Sequence, residues 1–424
     1  MINKTYDVTL KGCKLKGKVK VPPSKSLSHR ALIAAGLSSG TSVIRNIVLS
    51  EDIKATIAAM KHFGATFDLL EEVENRCTYL ISNHGAPMED DGRAVEIFCN
   101  ESGSTARFLI PFFHLIDRTV VFTGANSLAE RPFDPYFDLF DAQGIAYTKS
   151  KRGLPLSVRG KLKAGRYEMV GNVSSQFITG LLYILPLLDG DSELVIKPPF
   201  ESKGYVDLTL EVLSAFGIEI VQMSEHHFYV LGNQSYQSTD FTVEGDYSQA
   251  AFFMVANALG SEIELEGLSK DSKQADRIID EMIKMAFGPA NGPTHVPTFD
   301  VTDCPDLVPI LSVLLALSSG NNEIVGGRRV RIKESDRIKA IASELTKMGA
   351  SIDETPEGLI FSGVDSLSPA QVYAWNDHRI AMALAIASTC TKGETKILGA
   401  DCVRKSYPDF WDVFIKLGGD AIVE

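Results

Sequence analysis

The chain has 424 residues, 45% hydrophobic and 23% charged, with a formal net charge of −12. That length exceeds one typical hydrophobic core and predicts two domains, and the apolar-to-charged balance is that of an ordinary globular protein. The acid excess argues against nucleic acid as the main partner, because phosphate-backbone binders carry a basic surface; it leaves room for a small anion in a local basic cleft.

No apolar run reaches the roughly 18 residues that a membrane span needs. The opening stretch MINKTYDVTLKG has no signal-peptide apolar region. A cytoplasmic chain without membrane contact is expected. Cys13, Cys77, Cys99, Cys304, Cys390 and Cys402 are scattered, with no CxxC pair. Reduced thiols are expected, with neither a zinc site nor a disulfide framework.

Along the chain, strand-like residues lead repeatedly into a small polar cluster and then an apolar helix. The pattern appears at VPPSKSLSHRALIAA (21), IFCNESGSTARFLIP (97), MVGNVSSQFITGLLY (169), TVEGDYSQAAFFMVA (242), VTDCPDLVPILSVLL (301) and YAWNDHRIAMALAIA (373). A second series interleaves with it: an acidic start, an amphipathic helix, an apolar-Gly pair and a short strand. Its glycines are Gly64, Gly144, Gly217, Gly288, Gly349 and Gly418. Glycine after the last helical residue is the usual C-cap. Six copies of roughly 70 residues account for nearly the whole chain, and such self-similarity is a fold-level signal. Each copy reads as strand–helix–strand–helix with extra strands, hence an α/β fold.

A Ser, Thr or Asp at a helix start is most often an N-cap. Charge is what exceeds capping here. Lys25 and Arg30 join the first cluster, Arg107 the second, and His378 and Arg379 the sixth. Glu130-Arg131-Pro132, Lys333-Glu334-Ser335-Asp336-Arg337 and Val403-Arg404-Lys405-Ser406 lie between. Helix N-termini bind phosphate, and Lys or Arg completes such a site. Cations at a helix start oppose the dipole unless an anion joins them. As a set they point to a ligand with more than one anionic group. Two acids lie among them. Glu334 beside Lys333 is either an acid–base group or a first-turn acid favoured by the dipole. Asp306 after Pro305 is either a functional carboxylate or an N-cap. The residues alone leave both choices open. His226-His227 has no third metal ligand near it in sequence, so an exposed hairpin is expected there rather than a metal site.

Eight motifs in order, VPPSKSLSHR, ESGSTARFL, AERPFD, NVSSQF, ESKGYVDLT, KESDR, NDHRIAMA and RKSYPDF, resemble the 5-enolpyruvylshikimate-3-phosphate synthase family. The resemblance covers essentially the whole chain. It implies a two-domain enolpyruvyl-transferase fold of six βαβαββ repeats, three per domain, like an inverse α/β barrel. The implied active site is the interdomain cleft. The domains would be residues 1–22 with 244–424, and residues 23–243, closing on substrate. The implied reaction joins phosphoenolpyruvate to shikimate 3-phosphate through a tetrahedral intermediate, releasing phosphate. The implied enzyme is a monomer and uses no metal or redox cofactor.

Carried over by motif, Lys25 would touch both substrates, with Ser26 and Arg30 on the shikimate carboxylate. Ser174 and Ser175 would hold the 3-phosphate, with Ser202 near. Gln176 and Tyr205 would contact the ring or phosphoenolpyruvate. Gly103, Arg131, Arg337, Arg379 and Lys405 would hold phosphoenolpyruvate, and His378 would orient neighbouring groups there. Asp306 would accept the 5-hydroxyl proton and Glu334 would exchange the C3 proton, helped by Lys25 and Lys333. Three positions depart from the family pattern: Glu101 and Arg329, where Asn is common, and Ser104, where Thr is. Gly103 leaves the space that a larger residue would close to glyphosate, so sensitivity to that inhibitor is expected.

Three rivals are weaker. UDP-N-acetylglucosamine enolpyruvyl transferase has a reactive Cys where this chain has Asn126, and lacks the KSLSHR and VSSQF patterns. RNA 3′-terminal phosphate cyclase needs a nucleophilic His and a nucleic-acid surface. A non-catalytic anion binder has no use for Asp306 and Glu334.

Overall fold

The structure is a computed structural model, and it describes residues 5–83, 93–151, 153–287 and 296–424. Gly288, one of the six expected capping glycines, lies outside the described residues. The chain forms two compact units, one of Met1–Pro22 with Gly245–Glu424 and one of Pro23–Glu244. Each has its own hydrophobic core.

The first series of helices is Lys25–Leu37, Gly103–Leu109 and Ser175–Ile184 in one unit, and Tyr247–Ala258, Val308–Ala316 and His378–Ser388 in the other. Five start on a side-chain cap: Ser24, Ser102, Ser174, Asp246 and Asp377 each accept a backbone N–H of the first turn. Val308–Ala316 is different. It enters through a 3₁₀ turn at Pro305–Leu307, and no side chain caps either element. Every residue of Val308–Ala316 and His378–Ser388 is buried. Helices apolar all round belong in an interior.

The second series is Glu51–Lys61, Asp134–Gln143, Lys203–Ala215, Ile279–Phe287, Arg337–Lys347 and Phe410–Lys416. The acidic start expected for the third is absent, because that helix begins earlier, at Lys203. Gly64, Gly144, Gly217, Gly349 and Gly418 all have φ between 67° and 91°. That left-handed turn ends each helix where a Cβ would clash with the following carbonyl.

Five four-stranded sheets share one plan. In one of them Val95–Phe98 runs parallel to Val120–Thr123, which is antiparallel to Gly153–Arg159, itself antiparallel to Ala146–Ser150. In another, the antiparallel place is taken by the far N-terminus: Val8–Lys11 lies between Glu394–Leu398 and Asp420–Val423. The sixth sheet has two strands among the described residues, Lys16–Lys20 parallel to Glu262–Glu266. Ion pairs Lys16–Glu262 (2.6 Å) and Lys18–Glu264 (2.8 Å) run along it. The two histidines do lie at a hairpin, His227 opening its second strand. Their side chains are half-buried rather than exposed, with His227 Nε2 at 3.3 Å from Glu193.

Gly144 has φ 67° and open space where a Cβ would go. Gly144→Ala is therefore expected to cost about 1–2 kcal/mol from backbone conformation alone, and Gly144→Asn less, because Asn tolerates this region. Urea-denaturation midpoints measure both. Equal stability for the alanine variant would remove the glycine cap from the account.

Candidate active site

In the Pro23–Glu244 unit, the sequence VPPSKSLSHR places Lys25 and Ser26 on the first turn of a buried helix, with Arg30 one turn later. Lys25 Nζ pairs with Asp52 at 2.8 Å. The Arg30 guanidinium is buried and made rigid by its own neighbours. Its Nε donates to Thr209 Oγ1 (2.9 Å), Nη1 to Ser26 O (2.7 Å) and Nη2 to Tyr205 O (2.8 Å). Tyr205 N in turn donates to Ser202 O. Ser202 has φ 56°, a region that a residue other than glycine rarely adopts without a functional or structural reason. Thr209 Oγ1 lies 2.9 Å from Thr179 Oγ1, which carries the network to the helix headed by Ser174 and Ser175.

Gln176 on that helix joins a second group. Its Nε2 donates to Ser104 Oγ and its Oε1 accepts from Arg107 Nη1, both at 2.9 Å. Gly103 sits at the guanidinium ends: a Cβ there would stand 2.8 Å from Arg131 Nη1 and 3.3 Å from Arg107 Nη1. A buried chain links this group to Lys25's helix. His29 Nδ1 and Thr56 Oγ1 are 2.7 Å apart, as are Thr56 Oγ1 and Thr105 Oγ1. Thr105 Oγ1 donates to Ser102 Oγ at 2.7 Å. Burial, with Lys25 and Arg30 adding to it, holds the His29 pKa well below the usual histidine value. Its imidazole is a neutral hydrogen-bonding strut.

The second unit gathers the opposite charges around one arginine. Arg337 is buried; its Nε pairs with Asp377 (2.8 Å), Nη1 with Asp306 (2.7 Å) and Nη2 with Glu334 (2.7 Å). Arg379 Nη2 donates to Asp306 Oδ2 (2.9 Å) and Ser248 Oγ (2.8 Å). Lys333 Nζ lies 3.8 Å from Asp306. Asp377 caps its own helix through Arg379 N and accepts from Ser335 Oγ. His378 is buried on the same first turn. Lys405 Nζ donates to Asn376 O at 2.8 Å.

This geometry removes one alternative that the sequence left open for each of the two acids. Asp306 lies in the uncapped 3₁₀ turn and caps no helix. Glu334 precedes its helix, which begins at Arg337, so it is no first-turn acid. Burial alone would raise the pKa of Asp306, but Arg379, Lys333 and Arg337 outweigh it and hold the carboxyl well below the usual carboxylate range. Burial pushes Lys333 down to about 8 against the pull of Asp306 and Glu334, and Arg337 and Arg329 push the same way as burial.

The EPSP synthase (3-phosphoshikimate 1-carboxyvinyltransferase) family model matches residues 10–414. The chain belongs to the EPSP synthase family. It is 48% identical over 420 residues to the 3-phosphoshikimate 1-carboxyvinyltransferase of Clostridium novyi, covering 96% of each chain. It is 46% identical over 423 residues to that of Clostridium acetobutylicum, covering 98% of each. An EPSP synthase structure from Acinetobacter baumannii superposes with a TM-score of 0.79 at 25% identity, covering 99% of this chain and 100% of that one. Among the described residues, no helix is long and apolar enough to cross a membrane, and no cluster of three or more His, Cys, Asp or Glu could hold a metal ion.

Within this EPSP synthase family member, two site neighbours, Asp52 and Ser248, lie outside the eight motifs; Arg107 and Asp377 lie within them but were given no role there. Asp52 reads in sequence as one of two first-turn acids, Glu51 and Asp52; only the fold turns it toward Lys25. Of the departures, Arg329 donates to Thr302 O at 2.8 Å and adds its charge against Lys333. Ser104 keeps the hydroxyl that Gln176 uses.

The Lys333 ammonium is present below pH 8 and lost as pH rises through about 8. The kcat/KM profile for phosphoenolpyruvate is expected to fall across that range. Lys333→Arg, charged throughout, is expected to lose the falling limb. A limb that persists in the variant assigns it to another group.

Proposed function

We propose that the chain transfers the carboxyvinyl group of phosphoenolpyruvate to the 5-hydroxyl of shikimate 3-phosphate and releases inorganic phosphate, and that it does so on the residues above. Each substrate carries a phosphate and a carboxylate, which accounts for cations crowded onto helix starts. Lys25, Ser26, Arg30, Ser174, Ser175, Gln176, Ser202 and Tyr205 take shikimate 3-phosphate, with Asp306 and Lys333 at its reacting hydroxyl. Gly103, Arg131, Arg337, His378, Arg379 and Lys405, with Lys25, Gln176 and Glu334, take phosphoenolpyruvate. Arginine suits these groups because its planar fork matches carboxylate and phosphate oxygens.

The observation that carries the reading is Asp306 gripped between Arg337 and Arg379. A carboxylate so paired is a weak base. Phosphoenolpyruvate that engages both arginines draws their charge away, and the proton affinity of Asp306 rises. The base is thereby armed when its substrate arrives. Asp306 then takes the 5-hydroxyl proton as the oxygen adds to C2, and C3 gains a proton through Glu334. In the elimination half, Glu334 removes a C3 proton, the C2–O bond to phosphate breaks and phosphate leaves. Lys333 and Lys25 stabilise the charge that develops. We read the enzyme as a cytoplasmic monomer.

Phosphate release from phosphoenolpyruvate, with and without shikimate 3-phosphate and in chelator, tests the reaction. Release is expected only with both substrates, and unchanged by chelator. Release without the acceptor, or none with it, overturns the assignment. Glu334→Gln is expected to lower kcat by about 10²–10⁴, the usual span for general acid–base catalysis, while ligand binding persists. Full turnover in that variant would remove Glu334 from proton transfer.

The glycine at 103 keeps a methyl group away from Arg131 Nη1 and Arg107 Nη1, which a Cβ would approach to 2.8 Å and 3.3 Å. Glyphosate is expected to compete with phosphoenolpyruvate at micromolar concentration. Gly103→Ala is expected to weaken it, since the new methyl enters that space. A millimolar inhibition constant for the unaltered protein would refute this.

A further inference from the structure

One buried carboxylate of the Gly245–Glu424 portion takes no part in the chemistry above. Glu344 is 1% exposed at its side chain. It lies on the helix Arg337–Lys347, seven residues after Arg337 and so on nearly the same face two turns on. Its Oε1 accepts from the Trp375 indole Nε1 at 2.8 Å. Its Oε2 accepts from Tyr373 N at 2.9 Å and from Lys347 Nζ at 2.7 Å. Lys347 is half exposed, and a buried carboxylate is poor value for stability compared with an apolar side chain. Ser343 Oγ, on the same helix, also donates to Oε1 at 3.4 Å; the Tyr373 and Trp375 contacts are what set Glu344 apart. Both belong to the short segment that leads into Asp377.

That segment is bent in an uncommon way. Trp375 and Asn376 have φ 54° and 52°, consecutive residues in the left-handed region and neither a glycine. Such a conformation persists only where surrounding contacts over-determine it. Immediately downstream, Asp377 pairs with Arg337, and His378 and Arg379 open their helix. Asn376 O accepts from Lys405. The Arg337–Lys347 helix therefore holds the segment at two points: Arg337 grips Asp377, and Glu344 grips Tyr373 and Trp375.

We propose that Glu344 is a positioning residue for phosphoenolpyruvate binding: by fixing Tyr373 and Trp375 it holds the left-handed turn that sets Asp377, Arg379 and Lys405 relative to Arg337. The proposal rests on the assignment of these cations to phosphoenolpyruvate. It predicts a selective loss. Glu344→Gln keeps the shape but presents an amide NH₂ to a donor that needs an acceptor. The KM for phosphoenolpyruvate is expected to rise about tenfold, the loss of one well-placed charged hydrogen bond, with the KM for shikimate 3-phosphate changed less than about twofold.

The experiment measures both KM values and kcat for the full chain, its Glu344→Gln and Trp375→Phe variants, the double variant and Arg379→Lys. Trp375→Phe removes one donor and leaves the carboxylate. It is expected to raise the phosphoenolpyruvate KM in the same direction but less, and to carry the test alone should Glu344→Gln fail to fold. The double variant is expected to bind no worse than Glu344→Gln, because the donor left without an acceptor is gone. Unchanged phosphoenolpyruvate KM in both single variants, or equal rises for the two substrates, would overturn the proposal. Arg379→Lys separates the two readings. If it leaves the phosphoenolpyruvate KM unaltered, the assignment beneath falls; if it raises it while the Glu344 and Trp375 variants do not, only the positioning role falls.

Discussion

The ion cluster of the Gly245–Glu424 portion depends on one buried cation. Arg337 offers its planar fork to Asp306, Glu334 and Asp377, each within 2.8 Å. Desolvating an arginine is costly, and here three close carboxylates offset it. Those three acids come from three places: the turn before one helix, the loop before Arg337's own helix and the cap of a third. The ion cluster is thus also the joint that registers three segments. Removing any member leaves the others with uncompensated buried charge, so charge balance and local order are bound together here.

The Pro23–Glu244 unit solves a similar problem with hydroxyls. Arg30 is buried with neutral acceptors, Thr209 and two backbone carbonyls. Threonines then pass the network sideways, from Thr209 to Thr179 and from Thr56 to Thr105. Burial lowers the pKa of Arg30, yet an arginine stays charged there. A cation surrounded by neutral dipoles keeps its field for an incoming anion. The field of Arg337 is instead matched by three carboxylates. The two buried arginines therefore differ in electrostatics: one is held by neutral dipoles, the other by acids.

Much of this was legible in the sequence. The alternation of two helix types reads directly from periodicity, and the capping residues and closing glycines fall where local chemistry puts them. The motifs of Lys25 and Arg379 fall at helix starts: Lys25 on the first turn of Lys25–Leu37 and Arg379 on that of His378–Ser388. Tertiary pairing was hidden. Asp52 carries no mark that distinguishes it from Glu51 beside it, and Ser248 looks like any residue after a cap. Asp306 and Glu334 were undecided because a cap and a catalytic acid look the same until the helix start is known to the residue. The half-buried His226-His227 turn shows the same limit: its contacts with Phe200 and Glu193 come from a neighbouring strand and its flank.

The strand Val8–Lys11 has a temporal meaning as well. It occupies an inner place in a sheet whose other members are Gln371–Tyr373, Glu394–Leu398 and Asp420–Val423. On the ribosome, Val8–Lys11 is made long before the strands that flank it, Glu394–Leu398 and Asp420–Val423. The Pro23–Glu244 unit can complete its core while the rest is still being synthesised, and the N-terminal strand remains an unpaired edge throughout that interval. An unpaired edge invites wrong partners. The strand is short, four residues VTLK, and ends in lysine, features that discourage such pairing until its partners are made.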